Sequence, residues 1–409
     1  MPRLLSLALA YLVWAWVEEN PAWVAARPDP VGLVGTVGAA WLLGLRWSLP
    51  RLQRPWEAGP LVSFLGPQLF ALAFLAAFGG VHLWRDWELP AAVASWIGVL
   101  PYLVVQHGFR RGEASLLGLD PVRATAFAER QSQGLLLALV PLALVSQLWE
   151  WGMGALPPDP AAWTRAQEVA ALVVELGAAA LALPVVLLLL PRLLGATEGL
   201  PALQAQVDAG WRGSGPPPRV LAWDTQGLLP NALAVGFGSR RRILVSDALQ
   251  ARLEPHELNA VLAHEMAHLE RRHAAALVAG AAGAVMLALG ELDRFLPAEA
   301  GVGWGLLALL AAAPPFLFAS RRFEQQADLD AIDRAPVHAG GLTAALCRLG
   351  GLHRRLSLRH PPVPKRLDEI RLCLADPARA EAHHRRAGRA RMLLWGLFCA
   401  GLLRLLAAT

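Results

Sequence analysis

Long apolar runs recur along this chain, and they constrain its fold more than any other feature. A helix that crosses a bilayer needs about 20 apolar residues, with about 17 as a lower bound. The first run is short, and Arg404 interrupts the last. The runs lie at Leu4–Val17, Val31–Leu49, Leu61–Trp84, Ala91–Gln106, Gly134–Trp149, Val169–Leu190, Ala274–Gly290, Gly301–Ala319 and Met392–Ala408. We therefore predict a mainly α, polytopic membrane protein with about eight or nine transmembrane helices.

The composition agrees with this prediction. Hydrophobic residues make up 55% of the 409 residues and charged residues only 17%, whereas a soluble domain averages about 45–50% apolar and about 25% charged. The net charge of +5 could indicate a nucleic-acid partner. The arginines, however, cluster beside the apolar runs, as membrane proteins arrange them. We expect membrane lipid and no nucleic acid as a partner.

The charges between the runs predict the orientation of the chain. Short loops rich in Arg stay on the cytoplasmic side, and here every second connection is basic while the others are mainly acidic. The Ala-, Leu- and Arg-rich usage favours a bacterial source. We predict a multi-pass protein of the bacterial inner (cytoplasmic) membrane with its polar segments in the cytoplasm. The basic connections hold Arg46, Arg51 and Arg54, then Arg110, Arg111, Arg123 and Arg130, then Arg192, and finally Arg321 and Arg322.

The first long polar segment carries the signals of a small α+β domain. The sequence GSGPPP at Gly213–Pro218 cannot be helical. Pro255 then opens a helix, at a position where its missing N–H costs little. No helix breaker follows before the next apolar run, so we predict that this helix continues into a span. Short strands are predicted at Arg219–Trp223, Ala232–Phe237 and Arg242–Ser246, the last two joined as a hairpin through Gly238 and Ser239.

The predicted helix carries an H-E-x-x-H motif, HEMAH, formed by His264, Glu265 and His268. Residues four apart lie on one face of a helix, so both imidazoles can bind the same ion. Glu265 is placed to act as a general base on a water at that ion. We predict one Zn²⁺ per chain. The alternative is that the two histidines belong to a charged helix face.

A third protein ligand is expected, because catalytic zinc has three and keeps one position open. Glu324 is the candidate. The chain crosses the predicted hairpin of spans after His268 and meets Glu324 just over one turn past the second span. Antiparallel spans of matched length would bring the two residues within about 10 Å in height. The alternative is an interfacial charge that pairs with Arg321 or Arg322.

Asp328 lies four residues beyond Glu324, on the same helical face. Zinc-bound histidines commonly donate their other ring N–H to a carboxylate. We predict that Asp328 accepts such a bond, from His264 in preference to His268. The alternative is an ordinary aspartate on the helix surface.

Three segments in this order resemble those of the gluzincin family that includes the type I CAAX prenyl proteases and the bacterial heat-shock membrane proteases. The similarity covers roughly Val220–Leu372. Leu233 and Ala267 depart from the usual family pattern, which leaves the subfamily and the substrate open. The segments are Pro230–His273 with the H-E-x-x-H motif, SRRFEQQAD at Ser320–Asp328, and HPPVPKR at His360–Arg366.

The resemblance implies a zincin-type catalytic domain and further site residues. His360 would lie near the metal and stabilise the oxyanion, although it could equally be a helix N-terminal residue before two prolines. Arg321 would be a structural partner near the third ligand. An extended substrate would add to an edge strand formed by Asn231, Ala232, Leu233 and Ala234.

The other histidines receive plainer predictions. His273 is five residues from His268 and off its helical face, so we expect an interfacial residue. His383 and His384 belong to the basic stretch HHRRAGRAR and are predicted to anchor the chain beside anionic lipid.

These predictions together define an expected activity and a division of the chain into segments. Its expected activity is that of an integral membrane zinc metalloendopeptidase acting at the cytoplasmic face on membrane-embedded or lipid-anchored polypeptides. The alternatives are a prenyl-peptide protease and a non-catalytic zinc-binding scaffold. The predicted segments are an N-terminal multi-span region at 1–194, the two parts of the catalytic domain at 195–273 and 320–391, a transmembrane hairpin at 274–319 and a possible last span at 392–409.

Overall fold

A computed structural model describes the C-terminal half of the chain. It covers residues 190–408 apart from 193, 228, 296–300, 335–336 and 351–361, together with 119–129 and scattered positions between 107 and 174. The six predicted spans before residue 190 lie outside the described residues, apart from those scattered positions. Pro184–Arg294 and Ala308–Thr409 form one compact unit, and all the elements named below belong to it except the first residues of one helix.

A three-stranded mixed sheet forms the β part of this unit. Its strands are β1 (Arg219–Trp223), β2 (Ala232–Val235) and β3 (Arg242–Ser246), in the order β1-β3-β2. β1 runs parallel to β3, and β2 runs antiparallel to it. β2 and β3 form the predicted hairpin, but β2 ends at Val235 rather than Phe237 because Gly236 turns the chain with φ 83°. A Cβ there would lie 2.3 Å from the carbonyl oxygen of Arg240, so only glycine fits.

The helix with the H-E-x-x-H motif begins at Pro255, as predicted. α1 (Pro201–Gly210) precedes the sheet, α2 (Asp247–Arg252) follows it, and α3 (Pro255–Glu270) carries the motif. Glu254 and Glu257 form a capping box at the start of α3, which satisfies backbone N–H groups that the first turn leaves free.

The prediction that this helix continues into the next apolar run is wrong. α3 ends at Glu270, and a separate helix, α4 (His273–Phe295), begins after two intervening residues. Between them Arg272 adopts a left-handed conformation with φ 55°, which breaks the helix. The carbonyl of Arg271 accepts a hydrogen bond from Arg391 at 3.2 Å, so one acceptor exposed by the break has a partner.

The remaining chain is helical wherever the structure describes it. Its helices are α5 (Gly301–Arg334), α6 (Val337–Gly350), α7 (Val363–Ala375) and α8 (Pro377–Ala408). α5 runs unbroken from the apolar run that starts at Gly301 to beyond Glu324. The described residues thus form a mainly helical unit with a small mixed sheet.

Two of the hydrophobic cores in the described part of the chain position the motif helix and Glu324. The first packs α3 and α6 against the sheet, with Ile243, Leu262 and Leu342 at its centre. The second packs α4, α5 and α8 together around Phe323 and Leu394. The motif helix is therefore fixed by packing on the sheet side, while Glu324 belongs to a helix anchored in the second core.

Among the helices that the structure describes, none is both long enough and apolar enough to cross a lipid bilayer.

Candidate metal centre

His264, His268 and Glu324 meet at one point in the interior of the described unit. Nε2 of His264 lies 3.1 Å from Nε2 of His268. Nε2 of His264 is 3.6 Å from Oε2 of Glu324, and Nε2 of His268 is 3.7 Å from Oε1 of the same carboxylate. The two histidines come from one face of α3, and the glutamate comes from α5.

These distances match a tetrahedral zinc site. Zn–N and Zn–O bonds of about 2.0–2.2 Å at tetrahedral angles separate neighbouring ligand atoms by about 3.3–3.6 Å. Two imidazoles and one carboxylate are also the ligand set of one group of catalytic zinc enzymes, in which a fourth position stays open. The three residues would therefore hold one zinc ion.

The electrostatics at His264 favour a cation. Burial favours the neutral imidazole, but the carboxylates of Asp328 and Glu324 outweigh burial and raise the pKa of His264 to about 10. The same negative charge that would retain a proton here is available to a metal ion. Both the negative charge and the ligand spacing of the site therefore favour a cation.

Asp328 lies against His264, in the position that the sequence predicts. Oδ1 of Asp328 is 2.9 Å from Nδ1 of His264. Burial alone would raise the pKa of Asp328, but Arg366 and His264 lower it to about 2, so this carboxylate is ionised at neutral pH. It can accept the ring N–H and hold the opposite nitrogen toward the metal.

Arg366 supports Asp328 from the other side, and the sequence reasoning missed this role. Its Nε and Nη2 bind the two carboxylate oxygens at 2.9 and 2.5 Å. Such a two-pronged pair fixes the carboxylate plane. The only sequence signal was membership in the segment HPPVPKR, which does not say what the arginine contacts.

Glu265 faces the edge strand β2. Its Oε2 accepts a hydrogen bond from the backbone N–H of Ala234 at 2.8 Å. Bonded pairs alternate along an antiparallel ladder, and Asn231 is bonded to Ser246. Leu233 and Val235 therefore face β3, while the backbone groups of Ala232 and Ala234 face outward toward the site. Of the predicted substrate strand, the backbone groups of Ala232 and Ala234 lie on the edge that faces away from β3, and the N–H of Ala234 already donates to Glu265.

The prediction for His273 is wrong. It is 2% exposed, and its Nδ1 lies 3.0 Å from Nδ1 of His268. The break at Arg272 turns the chain back, so that a residue off the face of a continuous helix reaches the zinc ligand. Burial lowers the pKa of His273 to about 4, so its ring is neutral and can accept a bond from His268.

His383 and His384 both contact other helices of the described unit, and the predicted lipid anchoring by the basic stretch that contains them stays a prediction. Nε2 of His383, which is 4% exposed, lies 3.1 Å from Oε2 of Glu369. Nδ1 of His384 lies 3.2 Å from Nε2 of Gln326. Both face the protein because this part of α8 contacts α5 and α7.

Two predicted residues do not enter the described site. Arg321 is exposed on α5, and Arg366 takes the place beside Asp328 that supports the ligands. His360 lies outside the described residues, so its role as an oxyanion donor stays a prediction.

Other groups of metal-binding residue types occur in the described part of the chain, but arginines already neutralise them. Nη2 of Arg379 is 3.1 Å from Oε2 of Glu369, and Arg271 binds both oxygens of Asp330 at 2.8 and 2.7 Å. We interpret both groups as ion-pair networks. They are Glu369, Cys373 and His383, and Asp330, Asp333 and His384.

Comparison with known proteins adds to this geometry. Residues 203–373 match the family model of peptidase family M48. The chain is 35% identical over 136 residues to a protein described as "Protease HtpX homolog" from Thermoplasma acidophilum, an alignment that covers 30% of this chain and 41% of the relative. The chain thus spans about two fifths of the length of that relative. The matched range of the family model contains His264, His268, Glu324, Asp328 and Arg366.

Proposed function

We propose that the chain is a zinc-dependent metalloendopeptidase of peptidase family M48, because residues 203–373 match the model of that family. The observation that carries the proposal is the convergence of His264, His268 and Glu324 at ligand spacing, with Glu265 beside them on the same helix. Three ligands leave one position open, which is the arrangement of a catalytic rather than a structural site.

When bound, zinc would polarise the scissile carbonyl and acidify a water at the open position. Glu265 would act as the general base, taking a proton from the attacking water and delivering it to the leaving amine. Its carboxylate is held in place by the N–H of Ala234. Asp328, fixed by Arg366, orients His264. The chain therefore supplies a base, a ligand set and a support for that set.

We further propose that the substrate binds as an extended strand along β2. This strand lies at the edge of the sheet, and the backbone groups of Ala232 and Ala234 point away from β3 toward Glu265. A peptide pairing there would present its backbone to the metal through main-chain hydrogen bonds. In this mode the peptide binds mainly through its backbone, so peptides with many different side chains can bind.

We propose that the substrates are membrane-embedded or lipid-anchored polypeptides, cleaved at the cytoplasmic face. Support comes from the apolar runs of the sequence and from α8, whose apolar part exposes large side chains. Met392, Leu393 and Leu403 are each exposed by about two thirds, which is costly in water and favourable against lipid. Arginines precede them on the same helix, as at a cytoplasmic membrane surface.

The test is cleavage of an unstructured reporter polypeptide by the purified chain in detergent with zinc. Glu265→Gln should lower the rate by about 100-fold or more, because it removes the base, and it should leave the zinc content at one ion per chain. Glu381→Gln makes the same chemical change at an exposed position and should behave like the parent.

Three outcomes would decide among the alternatives. Equal activity of the parent and Glu265→Gln would overturn the peptidase proposal. Zinc binding without cleavage of any reporter would favour the scaffold. A requirement for a prenyl group, seen when a prenylated peptide is cleaved and its unprenylated form is not, would favour the prenyl-peptide protease.

A further inference from the structure

A line of polar side chains connects His268 to the C-terminal helix α8. Nδ1 of His268 lies 3.0 Å from Nδ1 of His273. Nε2 of His273 lies 3.0 Å from Oε1 of Gln326, and Nε2 of Gln326 lies 3.2 Å from Nδ1 of His384. Each link crosses between elements, from α3 to α4, then to α5, then to α8.

The centre of this line is buried. His273 and Gln326 are each 2% exposed, and the ring of Phe323 stacks on His273 with centroids 4.4 Å apart. Buried polar groups are nearly always hydrogen-bonded, and here their partners are one another. The two ring nitrogens of His273 and the side-chain oxygen of Gln326 are therefore satisfied by neighbours in the line.

The direction of the hydrogen bonds follows from the metal site. Nε2 of His268 faces Nε2 of His264 and the carboxylate of Glu324, so it is the ligand atom and carries no proton. In a neutral ring the proton is then on Nδ1, which donates to Nδ1 of His273. His273 in turn donates from Nε2 to the carbonyl oxygen of Gln326.

The last link completes the series. With its oxygen facing His273, the Gln326 side chain presents its amide N–H to Nδ1 of His384. Oδ1 of Asp330 is 3.9 Å from Nδ1 of His384, too far for a hydrogen bond, so it does not compete for that nitrogen. All three donors point away from the metal, and each ring has one tautomer.

We propose that Gln326 and His384 are positioning residues for the zinc ligand His268, acting through His273. They fix the tautomer and the ring orientation of His273, and His273 fixes those of His268. The inference rests on the proposed zinc site. It makes α8 a part of that site, although α8 contributes no ligand.

The two histidine ligands are thus supported differently. His264 contacts the ionised carboxylate of Asp328, which Arg366 holds, whereas Nδ1 of His268 contacts the ring of His273. Loss of a partner behind a metal ligand typically lowers metal affinity by about 10- to 100-fold. Loss of the hydrogen bond between Gln326 and His384, the link farthest from the metal, should lower zinc affinity toward the smaller end of that range.

The test compares His384→Leu with His384→Asn in the full chain. Asparagine can place its side-chain oxygen where Nδ1 of histidine lies and so accept from Gln326, whereas leucine cannot. His384→Leu should lower zinc affinity by about 10-fold, and His384→Asn should restore it to within about threefold of the parent. Zinc affinity is measured by competition with a chromophoric chelator, and Arg385→Ala, exposed on the same helix, is the control.

A second variant and a second measurement separate positioning from packing. Gln326→Met breaks the line one link nearer the metal and should lose at least as much zinc affinity as His384→Leu. Thermal unfolding of the zinc-free protein should be similar for His384→Leu and His384→Asn. If the two differ in unfolding temperature but not in zinc affinity, the role is packing alone and the inference fails.

The inference and the proposed function fail in distinguishable ways. If the parent binds no zinc, the proposed function itself is wrong. If the parent binds zinc and loses activity in Glu265→Gln, while His384→Leu and Gln326→Met bind zinc like the parent, only the positioning role is overturned.

Discussion

At the scale of single residues, the site depends on side chains that never touch the proposed metal. Asp328 is buried with a carboxylate that contacts His264 on one side and Arg366 on the other. A buried ion pair contributes little net stability when intact, but its partner becomes costly when left alone. Asp328 should therefore matter both for the ligand and for the fold.

We predict that Asp328→Asn lowers zinc affinity by about 10- to 100-fold. The variant should also lose about 3–5 kcal/mol of unfolding free energy, because Arg366 keeps its buried charge without a counterion. Chelator competition and denaturant unfolding of the zinc-free protein measure the two effects. Asp333→Asn, exposed on the same helix, is the control, and equal zinc affinity in the two variants would refute a role for Asp328.

At the scale of elements, the break between α3 and α4 decides what surrounds the site. A continuous helix would carry His273 away from His268. The left-handed conformation of Arg272 turns the chain and places His273 behind the ligand. This conformation costs a residue with a side chain about 1–2 kcal/mol, so the break is maintained by the contacts on either side.

We predict that Arg272→Gly leaves the unfolding free energy unchanged or raises it by up to about 1 kcal/mol. Glycine removes the steric cost, although it adds flexibility to the unfolded chain. Arg272→Val should lower the unfolding free energy by at least about 1 kcal/mol, since a branched side chain fits this conformation poorly. Thermal and denaturant unfolding provide the comparison, and a valine variant as stable as the glycine variant would show that the turn is not left-handed.

The edge strand β2 provides a second prediction at this scale. Ala234→Pro removes an N–H that points toward Glu265, and Val235→Pro removes one that the register pairs with Arg242 in the sheet. The first variant should fold and bind zinc but cleave at least about 10-fold more slowly, since Glu265 loses the donor that holds its carboxylate and the proline ring obstructs the edge where a substrate strand would pair.

Val235→Pro should instead destabilise the unit by about 1–3 kcal/mol, because a buried ladder acceptor loses its partner. Cleavage rate, zinc content and unfolding temperature are measured for both variants. If Ala234→Pro cleaves as fast as the parent, the substrate does not bind along this edge.

At the scale of the whole molecule, the catalytic residues come from two helices with different neighbours. α3 packs with the sheet and α6, whereas α5 packs with α4 and α8 and also reaches the first core through Ala331 and Ile332. α8 then continues into an apolar part with exposed Met392, Leu393 and Leu403. The buried polar side chains of the site therefore lie next to helices that expose apolar side chains on their outer surface.

We predict that the full chain stays in the membrane pellet after washes with high salt and alkaline carbonate. Apolar runs of about 20 residues hold a protein in lipid by a hydrophobic free energy that neither wash removes. A peripheral membrane protein in the same preparation should be released and serves as the control. Release of the chain into the supernatant would contradict the membrane proposal.

The sequence alone determined the parts that depend on local spacing. Four-residue spacing placed His264 and His268 on one face, proline and glycine marked the start of α3 and the turn after β2, and the same spacing put Asp328 beside Glu324. These features follow from backbone geometry, which a short stretch of sequence specifies.

Only the tertiary structure decided the parts that depend on distant contacts. The helix break at Arg272, the support of Asp328 by Arg366 and the line from His268 to His384 each join residues that local periodicity does not relate. Arginine has no strong preference for a left-handed turn, and a histidine in a basic stretch looks like a surface residue until packing buries it. Packing between helices that are far apart in sequence determines this helix break and these contacts. They follow only from the arrangement of α4, α5, α7 and α8 around the motif.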